Sequence, residues 1–80
     1  MKIDLHGNIL VEALDEILLC LEECELIGDN HIEIVHGYRH GQILKNYVQS
    51  EKFIREMARA GYILIRTNSP NRGTSCFELK

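Results

Sequence analysis

Apolar and polar residues alternate in two short stretches of the chain and recur at helical spacing in two longer ones. A period of two is typical of strands that bury one face, and it occurs at residues 2–6 and 31–35. Residues 62–67 form a run of strongly β-forming residues, and residues 74–79 follow a cluster of turn residues, so each is also predicted to be a strand. Apolar residues recur every three or four positions over residues 9–27 and again from about residue 42 to residue 60, which predicts two helices. The predicted order is therefore βαβαββ, with a hairpin at the end.

Turn and cap residues mark the ends of these elements. Asn8 is the expected N-cap of the first helix, and Gly28 is expected to end it. The second helical pattern loses its phase around residues 49–51, where we expect a kink or a break into two helices, and Gly61 closes it. The expected buried sets are Leu10, Ala13, Leu14, Ile17, Leu18, Cys20, Leu21 and Cys24 in the first pattern and Ile43, Leu44, Tyr47, Val48, Ile54, Met57 and Ala58 in the second.

Each of the first two strands ends in a His-Gly pair and is followed by a helix. The pairs are His6-Gly7 and His36-Gly37, and Gly41 follows the second. Glycine lets a phosphate approach the backbone, and the first N–H groups of a helix lie at the positive end of its dipole. A right-handed crossover between parallel neighbouring strands would bring both pairs to one sheet edge, where open α/β sheets bind ligands. We therefore predict that His6 and His36 lie at the same edge.

Asp4 and His6 are expected to share one face of the first strand, because side chains alternate along a strand. A carboxylate beside an imidazole can orient the ring and fix its tautomer, as a general acid or base requires. Alternatively, Asp4 accepts hydrogen bonds from the backbone of the turn that follows Gly7. The pattern alone leaves both interpretations open.

The composition is that of one ordinary small domain, residues 1–80. Apolar residues make up 45% and charged residues 26%, with no signal peptide and no apolar run near the roughly 18 residues of a membrane span. We expect a cytoplasmic protein that has no membrane partner. The three cysteines form no C-x-x-C pair and the four histidines lack zinc-site spacing, so no metal site is predicted, and Cys20 and Cys24 are expected in the core.

The two halves of the chain differ in charge. Residues 1–40 carry two basic and nine acidic residues, a net charge of −7, and residues 41–80 carry seven basic and three acidic residues, a net charge of +4. The second half could present a basic face to phosphates. The alternative is an ordinary solvated helix surface.

Several short motifs together resemble those of the Smr (small MutS-related) domain. They are D-L-H-G at residues 4–7, V-H-G at 35–37 with Gly41 and Leu44-Lys45, and G-T-S at 73–75, and they span essentially the whole chain. The resemblance implies an α/β (α+β) two-layer sandwich with a mixed four-stranded sheet and two helices, similar to the C-terminal domain of translation initiation factor three. It also implies binding of DNA or RNA, with endonuclease activity (DNA nicking or RNA cleavage) in several members. We expect a monomer or weak oligomer.

The resemblance also assigns expected roles to individual residues. Asp4 and His6 match the motif implicated in cleavage, and His36 is a further candidate acid or base. The expected nucleic-acid contacts are Gly37, Tyr38, Arg39, His40, Gly41 and Lys45. The chain departs from the family where Arg39 replaces the middle glycine of the loop, so a guanidinium would take over a backbone contact to phosphate. Its second helix is also longer than usual.

Two functions from different classes remain. As an endonuclease, the protein would use a histidine for proton transfer, and helix N-terminal amides, Arg39 and Lys45 would stabilise the transition state. As a binding module, the protein would use the same groups only to hold the nucleic-acid backbone. A pure interaction protein is a third alternative. No cofactor is certain: clustered carboxylates for a two-metal mechanism are lacking, and one divalent cation such as Mg2+ at Asp4 stays open.

Overall fold

Four strands and three helices are seen in the computed structural model, which describes residues 1–39 and 42–80. They are β1 (Lys2–Asp4), α1 (Leu10–Ile27), β2 (His31–Val35), α2 (Gln42–Val48), α3 (Glu51–Arg59), β3 (Leu64–Thr67) and β4 (Thr74–Leu79). The predicted order is confirmed, except that the second helix is two helices. No helix among these described residues is long and apolar enough to cross a membrane.

The strands form one mixed sheet in the order β1-β2-β4-β3. β1 and β2 are parallel, whereas β4 runs antiparallel to both β2 and β3. In this register Asp4 pairs with Val35, so the ends of β1 and β2 lie side by side. The topology thus places the two His-Gly pairs at one edge of the sheet, as predicted.

The core lies between one face of the sheet and the helices, which gives the two layers expected. Ile32 and Ile34 of β2 and Phe77 of β4 are fully or almost fully buried against residues of all three helices. On the helical side the buried residues are Ala13, Ile17, Cys20, Leu21, Cys24, Leu44, Val48, Phe53 and Met57. Register places alternate residues of each strand on the opposite face, which none of the helices in the described part of the chain covers.

Ser50 divides the predicted second helix into α2 and α3. Its hydroxyl accepts a hydrogen bond from the Phe53 N–H (3.2 Å) and donates one to the Tyr47 carbonyl (2.6 Å), so it ends one helix and caps the next. The break resets the helical phase. Ala58 is therefore exposed and Phe53 is buried instead. Ile43, which precedes the break, is also exposed (71%), so the predicted burial of Ile43 and Ala58 was wrong.

One of the two predicted caps of α1 differs from the structure. Ile9, rather than Asn8, occupies the N-cap of α1 and makes no side-chain cap bond, so that prediction was wrong. The Asn8 N–H donates to the Leu5 carbonyl (3.0 Å), because the chain turns there before the helix begins. Gly28 ends α1 as predicted, with φ 75° and its N–H bonded to the Cys24 carbonyl.

Candidate nucleic-acid interface

Asp4 and His6 form a hydrogen-bonded pair just beyond the end of β1. Asp4 Oδ1 lies 2.5 Å from His6 Nδ1 and 3.2 Å from the His6 backbone nitrogen. The hydrogen bond from the His6 ring is the main reason that the pKa of Asp4 is lowered, and the bond from the His6 backbone lowers it further. Since a carboxylate only accepts, Nδ1 carries the proton and Nε2 is left to exchange one. Both side chains are more than half exposed (57% and 69%), so Nε2 is open to a substrate.

The His36-Gly37 turn at the end of β2 packs directly against His6. Gly37 has φ 79°, and a Cβ placed on it would lie 3.3 Å from His6 Cβ. Glycine is needed here for both reasons, the left-handed backbone and the close approach. The two turns therefore build one continuous surface.

His36 is buried and holds the turn in place. Its Nδ1–H donates to the Gly37 carbonyl (2.7 Å), and the Ser75 hydroxyl donates to Nε2 (2.9 Å). Burial lowers the pKa of His36, which favours the neutral ring. Both ring nitrogens are thus engaged and the side chain is 2% exposed, which argues against the expected proton-transfer role.

The turn before β4 supplies the third side of the surface. The Gly73 carbonyl accepts hydrogen bonds from the N–H groups of His36 (2.9 Å) and Gly37 (3.0 Å). A Cβ on Gly73 would lie 3.3 Å from Cδ1 of Tyr38, so the Tyr38 ring lies over this glycine. Asn71 accepts from the Gly73 N–H (2.9 Å) and shapes the turn. Asn71 and Gly73 were not predicted as site residues, although the turn-forming N-R-G sequence was a usable signal.

A groove of about 1040 Å³ runs along these turns. It is both polar and apolar: the exposed side chains of Ile9 and Ile43 lie beside His6 and Arg39. Its lining is Lys2, His6, Gly7, Asn8, Ile9, Leu10, Val35, His36, Gly37, Tyr38, Arg39, Ile43, Leu44, Asn71, Gly73 and Thr74.

The predicted binding residues fall into three groups. Gly37, Tyr38 and Arg39 line the groove, and the Arg39 guanidinium carbon lies 5.7 Å from the centre of the Tyr38 ring. Lys45 lies on α2, half-buried and outside the groove lining. His40 and Gly41 lie outside the described residues.

A family model and a relative of known name each match most of this chain. The family model for the Smr domain matches residues 3–73. Over 64 residues the chain is 30% identical to a Finegoldia magna protein named Endonuclease MutS2, an alignment that covers 76% of this chain and 8% of that protein.

The fold is similar to the crystal structure of the Smr domain of Thermus thermophilus MutS2. The TM-score is 0.73 at 25% identity, and the match covers 99% of this chain and 96% of that one. Residues 3–73, matched by the family model, include both His-Gly turns and all the groove-lining residues except Lys2 and Thr74. The chain therefore belongs to the Smr domain family.

Proposed function

We propose that this domain binds DNA or RNA in the groove and cleaves a phosphodiester bond there, with Asp4 and His6 as the catalytic pair. The observation that carries the proposal is the exposed His6 imidazole, held by Asp4 at 2.5 Å beside the Gly37 turn. The name of the Finegoldia magna relative, Endonuclease MutS2, supports a nuclease-related role. Because the chain spans only 8% of that relative, the proposal concerns this domain alone.

The proposed chemistry uses the free nitrogen of His6. With Nδ1–H bonded to Asp4, Nε2 can take a proton from an attacking hydroxyl or give one to the leaving oxygen. Arg39 lines the same groove and would stabilise the negative charge that develops on the phosphate. His36 is assigned a positioning role, since it ties the Gly37 carbonyl to the Ser75 hydroxyl.

The proposed binding contacts come from the second turn. Tyr38 is 41% exposed and offers a ring face on which a base can stack. Arg39 would pair with phosphate, and Gly37 lets the backbone approach it. Lys45 would pair with a second phosphate from α2, and His40 and Gly41 are included by their place in the loop sequence alone.

A non-catalytic binding module is the second candidate function. The observation that favours it is Arg39, which stands where the family pattern has glycine and lines the groove next to the catalytic pair. A guanidinium there can hold a phosphate without placing it for attack. The same surface would then bind nucleic acid without turnover.

A divalent cation such as Mg2+ is part of the proposal only as a single ion at Asp4. At this edge the described residues bring together no three His, Cys, Asp or Glu ligand atoms, so a two-metal mechanism has no support from this geometry. Cleavage assays with added Mg2+ and with a chelator test the point. Loss of cleavage in the chelator, restored by Mg2+, would establish the ion.

Binding is tested by fluorescence anisotropy with single-stranded RNA, single-stranded DNA and duplex DNA over a range of salt concentrations. Arg39→Ala and Lys45→Ala should each weaken binding to all sequences alike and lower the salt slope by about one. Arg55→Ala, at an exposed position of α3, is the matched control and should leave the slope unchanged. An unchanged slope in both test variants, with a reduced one in Arg55→Ala, would place the nucleic acid on α3.

We also propose that the domain works in the cytoplasm as a monomer or weak oligomer. Analytical ultracentrifugation at several protein concentrations measures the oligomeric state. A stable dimer at micromolar concentration would contradict it.

A further inference from the structure

The uncovered face of the sheet carries three side chains that metal ions commonly bind. His31 and Glu33 are two residues apart on β2 and so point to the same face, and Cys76 lies directly opposite Glu33 on β4. One ligand atom from each residue lies within 4.8 Å of the other two. None of the three lines the nucleic-acid groove, so this cluster is a separate feature.

The distances are close to those of a tetrahedral zinc site. His31 Nε2 lies 3.7 Å from Glu33 Oε1, and two ligand atoms of a tetrahedral zinc ion are roughly 3.3–3.6 Å apart. Cys76 is held in place because it is only 3% exposed. The His31 and Glu33 side chains are 44% and 33% exposed, so they have room to rotate until their ligand atoms reach an ion bound to Cys76.

The charges around the cluster favour a cation. Glu33 itself brings a carboxylate to the cluster, directly across the strand pair from Cys76. Glu78 lies opposite His31 across the strand pair and adds negative charge, whereas Lys2 lies opposite Glu33 and opposes it. Asp29 accepts the His31 backbone N–H (3.0 Å) and fixes the start of the strand.

A second observation concerns Thr67 on β3. Its hydroxyl oxygen is buried and has no hydrogen-bond partner among the described residues. Thr67 lies directly opposite Cys76 in the β3–β4 register, so both side chains lie on the same face. A metal-bound thiolate would give this hydroxyl an acceptor, as outer-shell donors do at metal sites.

We propose that His31, Glu33 and Cys76 bind one Zn2+ ion on the uncovered face of the sheet, with the fourth coordination position open to solvent. Nitrogen, oxygen and thiolate ligands together favour zinc over Mg2+ or Ca2+, which prefer oxygen alone. Binding replaces the Cys76 S–H bond with a Zn–S bond and releases that proton to solvent. The ion would join β2 to β4.

The test uses the whole chain and two metal probes. Co2+ is added first, as a substitute for Zn2+ that can be followed by its absorption spectrum. A thiolate-to-cobalt charge-transfer band and the visible bands of tetrahedral Co2+ should appear and saturate at one ion per chain. Zn2+ affinity is then measured by competition with a chromophoric chelator. Cys76→Ser should abolish the charge-transfer band, and His31→Gln and Glu33→Gln should each weaken Zn2+ binding by at least about tenfold.

Two variants serve as controls. Cys20→Ala removes a buried thiol of α1, and Asp4→Asn removes the carboxylate beside His6; both should keep the band and the affinity. Far-ultraviolet circular dichroism verifies that each variant is folded. A band that persists in Cys76→Ser, an affinity unchanged in His31→Gln and Glu33→Gln, or a folded wild-type protein without a thiolate band would overturn the proposal.

Discussion

Replacement of Gly37 by alanine tests how closely the two His-Gly turns meet. Gly37 has φ 79°, a conformation that costs an L-residue roughly 1–2 kcal/mol. The new Cβ would also lie 3.3 Å from His6 Cβ, which is closer than ordinary carbon contacts, so His6 must shift by a few tenths of an ångström.

Two losses follow from this geometry. The free energy of unfolding should fall by about 1–2 kcal/mol, which lowers Tm by about 4–16 °C in a domain of this size. A misplacement of 1 Å costs about 100-fold in rate, so the smaller shift of His6 should lower kcat/KM for cleavage by roughly 3- to 10-fold. Urea denaturation measures the first loss and turnover of a labelled oligonucleotide measures the second.

Gly61→Ala is the matched control. Gly61 also has positive φ (99°), but a Cβ there meets nothing within 4 Å. It should lose comparable stability and keep the wild-type turnover. The reasoning would be refuted if Gly37→Ala were as stable and active as wild type, or if Gly61→Ala lost as much turnover.

Three further predictions concern the elements that support the site. Ser75→Ala leaves Nε2 of buried His36 without its donor and should lower the free energy of unfolding by about 1–3 kcal/mol, measured in urea. Burial lowers the pKa of His36 in the folded state, so the unfolded chain binds a proton first as the pH falls. The contribution of neutral His36 to the free energy of unfolding is therefore complete above the unfolded pKa of about 6.5 and is lost below it. A pH series of urea midpoints should show this loss. Ser50→Ala removes the cap of α3 and should cost about 1 kcal/mol with reduced helical circular dichroism.

Each of these has a clear contrary outcome. Ser69→Ala, at an exposed position, is the control for Ser75→Ala, and its free energy of unfolding should stay within about 0.5 kcal/mol of wild type. If Ser75→Ala had as small an effect, the hydrogen bond between Ser75 and His36 would not stabilise the fold. A His36→Gln variant should show a weaker pH dependence, and identical pH profiles would place the titration at another group. Unchanged stability in Ser50→Ala would mean that α3 does not depend on its cap.

The hydrophobic pattern predicted the order of the elements along the chain because that order depends on local periodicity, and the crossover rule for parallel strands predicted the shared edge. Residues 31–35 and 74–79 were predicted with the observed bounds, since 31–35 alternates cleanly and a cluster of turn residues precedes each stretch. Asp4 and His6 were predicted as neighbours from the same period of two. Parallel pairing of β1 and β2 then placed the turns together.

Features that depend on distant residues were not predictable in the same way. The burial of His36 rests on Ser75, 39 positions away, and so on the β2–β4 register. Gly73 joins the site through its carbonyl, which no side-chain pattern reveals. The cluster of His31, Glu33 and Cys76 likewise exists only because Glu33 and Cys76 face each other across two strands.

The helix break shows how one local bond can change a predicted face. Ser50 was within the stretch where a kink was expected, but its two hydrogen bonds were needed to end α2 completely. The pattern before the break then no longer continued in phase, which exposed Ala58 and buried Phe53.

Cleavage and affinity measured on one oligonucleotide, with the wild type, Asp4→Asn, His6→Ala and the double variant, test the proposed catalytic pair most directly. A general acid–base group contributes about 10²–10⁴-fold in rate and little ground-state affinity, so turnover should fall by that factor while Kd stays nearly unchanged. The double variant should be hardly slower than either single one, because Asp4 acts through His6. A His6→Ala protein that cleaves as fast as wild type, or wild-type cleavage that disappears once contaminating nucleases are removed, would contradict the account.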